Sequence, residues 1–160
     1  MLLALAGFLS GSVISGFEGP LGKIIMLAFF IPVLLGTGGN TGTQSAMLII
    51  RALVTGDLTP QKWISVIKKE LFVGLFLGIA LGIILYLFSY FWQGQKMVSL
   101  VVGLSVMVIT LWANLLGGLL PIILRKLHFD PAVASSPLIS TIMDVSGLFI
   151  YFSIAISILL

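Results

Sequence analysis

The sequence predicts an all-α integral membrane protein with five membrane-spanning helices, and three observations carry that prediction. Of 160 residues, 59% are hydrophobic and only 8% charged, where a soluble domain carries about 25% charged residues. Mean hydropathy is +1.26. The apolar residues fall into long runs separated by short polar breaks. With 8 Lys+Arg and 5 Asp+Glu, the chain cannot cover a water-facing surface. A soluble enzyme and a disordered tail are excluded on that ground, and a disulfide scaffold by the lack of Cys. At ~1.5 Å per residue, a chain of this length crosses a ~30 Å hydrocarbon layer about five times, leaving room only for short loops. One membrane domain over 1–160 is expected.

The first span is expected over about 1–17, closed by Glu18-Gly19-Pro20. No Lys or Arg precedes Lys23, so it does not read as a signal peptide. The second apolar run, about 21–53, is too long for one simple crossing. The third is expected over 71–92, the fourth over 97–124 and the fifth over 133–160, with loops at 54–70, 93–96 and 125–130. Gly74, Gly78 and Gly82 repeat every four residues on the third span, and Gly7 and Gly11 on the first. Small residues at that spacing let helix backbones approach closely in lipid, so these stripes are read as helix packing.

Net charge is +3, and the basic residues cluster at span ends rather than in a patch, which indicates topology and not nucleic-acid binding. Arg51, Lys62, Lys68 and Lys69 flank the second connection, Arg125 and Lys126 the fourth, against Lys23 and Lys96 alone at the other two. The positive-inside rule then predicts a multi-pass cell-membrane protein with a cytoplasmic N-terminus and an external C-terminus.

Functional information concentrates in polar groups at membrane depth. Glu18, Asp57, Glu70 and Asp130 read as lying in or beside loops, whereas Asp144 falls well inside the fifth span. A carboxylate there costs ~2.5–3.5 kcal/mol on the most lenient insertion scale and faces a bundle interior or a water-filled path. No Lys or Arg at depth can pair with it, so its counter-charge is expected to be a bound cation or a proton. Ser136, Pro137, Ser140, Thr141 and Gly147 share its helix face, giving the oxygen-rich surroundings that a hard divalent cation prefers. Pro137 is expected to kink this helix and free the Val133 carbonyl.

The second span contains Gly36-Thr37-Gly38-Gly39-Asn40-Thr41-Gly42-Thr43-Gln44-Ser45. Such a stretch predicts a kinked or interrupted helix whose Gly36, Gly38, Gly39, Asn40, Thr41 and Gln44 line a polar cavity, because irregular backbone at depth needs burial or water. A phosphate-binding loop is excluded, since no Gly-Lys-Ser/Thr follows. Asn114 on the fourth span reads as an inter-helix hydrogen bond. His128 has no partner at metal-ligand spacing. An intramembrane aspartyl protease needs two carboxylates at depth, and a rhomboid-like protease needs Gly-x-Ser-Gly with a membrane His. Neither set is present, so no enzyme is expected.

Pro32-Val-Leu-Leu-Gly-Thr-Gly-Gly-Asn-Thr-Gly-Thr-Gln-Ser-Ala46, with Leu48-Ile-Ile-Arg-Ala-Leu53, resembles the second-helix signature of MgtE-type magnesium transporters. Ala113-Asn-Leu115, Leu120-Pro121, Asp130-Pro131-Ala132, Pro137-Leu138, Asp144-Val145 and Gly147-Leu148 resemble that family's fourth and fifth helices. The resemblance implies a homodimeric Mg²⁺ channel with its pore on the two-fold axis, lined by the second and fifth helices. In it, the aspartate matching Asp144 holds a largely hydrated Mg²⁺. It also implies that full-length relatives carry cytoplasmic N-terminal and CBS domains that sense Mg²⁺, the present chain corresponding to the transmembrane part. Two positions depart from the pattern: Ser136 precedes Pro137 where Asn is usual, and Ser140 stands where Ala is frequent. The competing readings are a proton-coupled divalent-cation carrier using Asp144, and a non-transporting assembly subunit.

Overall fold

The computed structural model describes residues 2–21 and 25–160. It is all-helical over these residues, with α1 Leu2–Leu21, α2 Ile31–Thr55, α3 Trp63–Gln93, α4 Lys96–Lys126 and α5 Ser136–Leu159. A 3₁₀ segment, Ile25–Phe30, runs directly into α2. Lys23, the expected marker of the first connection, lies outside the described residues.

Four helical stretches are long and apolar enough to cross a membrane: Ile25–Thr55, Trp63–Gln93, Lys96–Lys126 and Ser136–Leu159. The first helix contributes a shorter apolar run, Ala4–Phe17, about 21 Å long against a ~30 Å hydrocarbon layer.

The centre of the bundle is α4, which packs against α2, α3 and α5. Val101, Val102, Val106, Ile109 and Ala113 along it are fully buried. On one side it receives the glycine stripe of α3. A Cβ added at Gly78 would lie 2.8 Å from the Met107 carbonyl oxygen, and one at Gly82 2.9 Å from that of Gly103. At Gly74 it would meet Asn114 Cβ and Leu111 Cα, both at 3.1 Å. At Gly78 and Gly82 these are backbone approaches too close for a Cβ, which is how two helices associate where lipid supplies no hydrophobic drive. By contrast, nothing lies within 4 Å of a Cβ at Gly7 or Gly11, so the α1 glycines do not pack within the subunit. Helix α1 instead leans on α5 through Phe17, whose ring sits 6.0 Å from that of Phe149 and 5.3 Å from that of Phe152.

The sharp return between α3 and α4 is made at Gly94, in the left-handed region (φ 70°), whose N–H donates to the Tyr90 carbonyl. At the other end of the bundle, the Lys126 ammonium lies 5.1 Å over the Trp63 ring. The two lysine- and arginine-rich connections therefore share one end.

The structure differs from the sequence expectation at four places, the first being α1, whose helix runs to Leu21 through Glu18-Gly19-Pro20 instead of closing at 17. Helix α3 starts at Trp63 rather than at 71, because Lys68 and Lys69 point outward while Val66 and Glu70 face inward. Glu70 is thus not a loop residue. It is 4% exposed. Helix α2 is unbroken across Gly36–Ser45, and the irregular backbone lies before it, at Ile25–Phe30. Pro137 occupies the first turn of α5, where its missing N–H has no intrahelical partner to lose, so it starts the helix instead of kinking it.

Candidate ion-binding groove

Helices α2 and α5 pack side by side and antiparallel, and their contacts set the register. The Thr43 and Ser136 hydroxyls are 3.5 Å apart. A Cβ at Gly39 would lie 3.5 Å from Ser140 Oγ, and one at Gly38 3.1 Å from Met143 Cε. One at Gly147 would lie 3.1 Å from Leu35 Cδ2. Continued one turn beyond Ser140, this pairing sets Asp144 level with Leu35 and Gly36. The carboxylate sits eight residues into α5, ~12 Å from its start.

The glycines of α2 divide into two sets by face. Gly38, Gly39 and Gly42 are buried. A Cβ on Gly42 would meet Ile139 Cγ2 at 2.9 Å and the Ala113 carbonyl oxygen at 3.4 Å. From the α4 side, a Cβ at Gly117 would collide with the Gly42 carbonyl. These positions bring α2 against α4 and α5. Gly38, Gly39 and Gly147, expected on the cavity wall, are therefore internal packing positions. Gly36, Asn40 and Gln44, four residues apart, form the exposed stripe, with Thr41 half-buried beside them. Nothing lies within 4 Å of a Cβ at Gly36, so the space level with Asp144 on this side is open. The sequence places the helix break wrongly because glycine weakens an isolated helix, whereas here close packing against α4 and α5 holds it.

On α5, Ser136 and Pro137 are exposed and Ser140 and Asp144 half-buried. Thr141 departs from this set. Its side chain is 7% exposed and its hydroxyl donates to the Pro137 carbonyl at 2.7 Å, inside its own helix. On the opposite flank, Ser146 accepts from Trp112 Nε1 at 3.0 Å and donates to the Ile142 carbonyl at 2.6 Å. Asn114 is buried, and its amide donates to the Thr110 carbonyl of its own helix at 3.0 Å. The inter-helix bond expected of Asn114 runs through its backbone instead, where its carbonyl accepts from the Ser45 hydroxyl at 3.2 Å.

The antiparallel register therefore sets Ser136, Ser140 and Asp144 of α5 alongside the α2 turns that carry the exposed Gly36, Asn40 and Gln44. Helix α5 carries no Lys or Arg, and α2 only Arg51 near its far end. Among the described residues, no three His, Cys, Asp or Glu side chains converge. A single carboxylate flanked by hydroxyls and amides cannot replace the inner coordination sphere of a cation. It can accept hydrogen bonds from the waters of a hydrated one, the mode that Mg²⁺ favours because it dehydrates reluctantly.

Long apolar helices packed through glycine, with a half-buried carboxylate among hydroxyl-bearing residues of α5, define a multi-pass membrane protein. Residues 31–154 match the MgtE family model, described as a divalent cation transporter, and the chain belongs to that family. It is 48% identical over 155 residues to the magnesium transporter MgtE of Thermus thermophilus. It is 38% identical to that of Bacillus subtilis over 155 residues and 36% identical to that of Enterococcus faecalis over 153. These matches cover 96–97% of the chain but 34% of each relative, so the chain spans about a third of their length.

Proposed function

We propose that the chain forms a homodimeric pore that conducts hydrated Mg²⁺ into the cytoplasm, with the ion held on the two-fold axis by Asp144 from each subunit. The observation that carries this reading is Asp144 itself: a half-buried carboxylate at membrane depth, level with open space beside Gly36, on a helix with no basic residue. One such group is a poor site for a divalent ion, and two-fold symmetry supplies a second. Ser140, Ser136, Asn40 and Gln44 accept hydrogen bonds from the ion's waters. Thr41, at the edge of the exposed stripe, completes the wall. In this arrangement α1 is the fifth crossing. The end bearing Arg51, Lys62, Lys68, Lys69, Arg125 and Lys126 faces the cytoplasm, with the N-terminus on the same side. A negative interior then drives entry by ~2.3 kcal/mol per elementary charge per 100 mV, about twice that for a divalent ion.

The names of the relatives support Mg²⁺ as the cargo. The test is Mg²⁺ entry into liposomes holding the purified chain and a trapped indicator. Uptake above protein-free vesicles, together with a bilayer current under a pure Mg²⁺ gradient at equal pH, is expected. Uptake that needs a pH gradient identifies a proton-coupled carrier instead, and no uptake removes the transport reading.

A further inference from the structure

A second carboxylate lies in the bundle, away from the groove. Glu70 is 4% exposed, and its Oε2 accepts a hydrogen bond from Ser45 Oγ at 3.0 Å. The same hydroxyl lies 3.2 Å from the Asn114 carbonyl oxygen, so its one proton serves acceptors on both α3 and α4. The Glu70 side chain fits only because residue 118 is glycine. A Cβ there would lie 2.6 Å from Glu70 Cγ and 3.4 Å from Cδ. One helical turn towards the lysine-rich end, the same three helices contribute Ile49, Val66 and Ile122, a buried apolar tier that seals the carboxylate from that side.

We propose that Glu70 is a positioning residue that sets the rotation of α2 through Ser45, and thereby holds Asn40 and Gln44 on the open face. The physical need comes from the glycines. Where α2 meets α4 and α5 it presents Gly38, Gly39 and Gly42, which permit close approach but offer no side chains to interlock. The glycines themselves therefore add nothing that resists rotation of α2 about its axis. A directional hydrogen bond from a buried polar group specifies register where packing does not, the best-attested use of such groups. Ser45 is the residue next to Gln44 and five residues from Asn40 on the same unbroken helix, so a bond at Ser45 fixes which way both side chains face. Glu70 reaches it from α3, whose own position on α4 is locked by Gly74, Gly78 and Gly82. The clamp thus refers α2 to the closely packed α3–α4 pair.

The importance of this rotation for conduction rests on the pore reading above, but the rotation itself can be read without transport. The chain has no Cys, so single reporters can be placed at Gln44, which is exposed, and at Ala46, which is 1% exposed. In reconstituted full chain, an aqueous maleimide should label Gln44→Cys and spare Ala46→Cys. Glu70→Ala should narrow the ratio of the two rates at least fivefold and lower Mg²⁺ uptake about tenfold. Glu70→Gln, which still accepts from Ser45, should keep the ratio and the uptake within twofold of the parent. Ser45→Ala removes the hydroxyl alone and should move the ratio as Glu70→Ala does, which covers the case in which Glu70→Ala fails to fold. An unchanged labelling ratio in Ser45→Ala overturns the proposal. So does a Glu70→Gln variant as impaired as Glu70→Ala, because the charge and not the hydrogen bond would then be what matters. If the parent itself moves no Mg²⁺, the pore reading fails while the labelling ratios still decide the clamp.

Discussion

Replacing Gly78 with alanine tests the packing that holds the scaffold. The new Cβ would lie 2.8 Å from the Met107 carbonyl oxygen, 3.3 Å from its Cα and 3.4 Å from its carbonyl carbon. All three are backbone atoms of α4, so no rotamer change relieves the overlap. Helix α3 must move off by roughly 0.6 Å to restore ordinary contact. The shift spreads along the stripe, because a Cβ at Gly82 would lie 2.9 Å from the Gly103 carbonyl oxygen and one at Gly74 3.1 Å from Leu111 Cα, one turn to either side. Overpacking of this kind costs about 1–3 kcal/mol. Alanine recovers up to about 1 kcal/mol through better helix propensity. The net destabilisation is up to about 2 kcal/mol, and Gly78→Val, with two further carbons, should exceed it. Ile84→Ala is the control, on the outer face of the same helix and 58% exposed. Thermal unfolding in mild detergent, followed by loss of the monodisperse peak, should show a lower midpoint for Gly78→Ala, lower again for Gly78→Val, and little change for Ile84→Ala. If Gly78→Val melts with the parent, the close approach of α3 and α4 does not exist as described.

Tyr151→Phe should lower the same midpoint by an amount equivalent to about 1–2 kcal/mol, since the buried hydroxyl donates to the Leu27 carbonyl at 2.9 Å and ties the 3₁₀ segment to α5. Native mass measurement in mild detergent should give twice the 17.1 kDa chain mass, and monomer alone would remove the axial pore. Gly118→Ala should reproduce the labelling change of Glu70→Ala, because the added methyl displaces the Glu70 side chain. An unaltered labelling pattern would mean that Glu70 can leave its place without consequence for α2.

Much of the fold was legible because lipid simplifies the code. Long apolar runs and basic connections mark helices whatever their neighbours, so α4 and α5 begin and end within a few residues of expectation. The four-residue glycine period marked the α3–α4 seam for the same reason. What misled was local composition where tertiary contact decides. Four glycines in ten residues read as a broken helix, yet Gly38, Gly39 and Gly42 are the surface on which α2 packs. Lys68 and Lys69 made Glu70 look like a loop residue. The signal that could have found it was its period: Val66, Glu70, Gly74, Gly78 and Gly82 all fall four apart and all are buried. Asp144 lies within the Ser136–Leu159 helix, where the apolar run placed it. Its facing partners on α2 depend on an antiparallel register that only the packed structure reveals, and the withdrawal of Thr141 into its own helix depends on a rotamer.

The central claim is that Asp144 holds the ion that the protein conducts, and Mg²⁺ uptake by Asp144→Asn tests it most directly. At ~5 Å and an effective dielectric near 20, a carboxylate attracts each unit of cation charge by ~3 kcal/mol, whereas asparagine keeps the shape and loses that attraction. Uptake should fall at least about tenfold, with the variant still monodisperse and Asp57→Asn, whose carboxylate accepts from Thr55 in an exposed turn, close to the parent. An Asp144→Asn variant that takes up Mg²⁺ at the parent's rate would contradict the account and move the ion site away from α5.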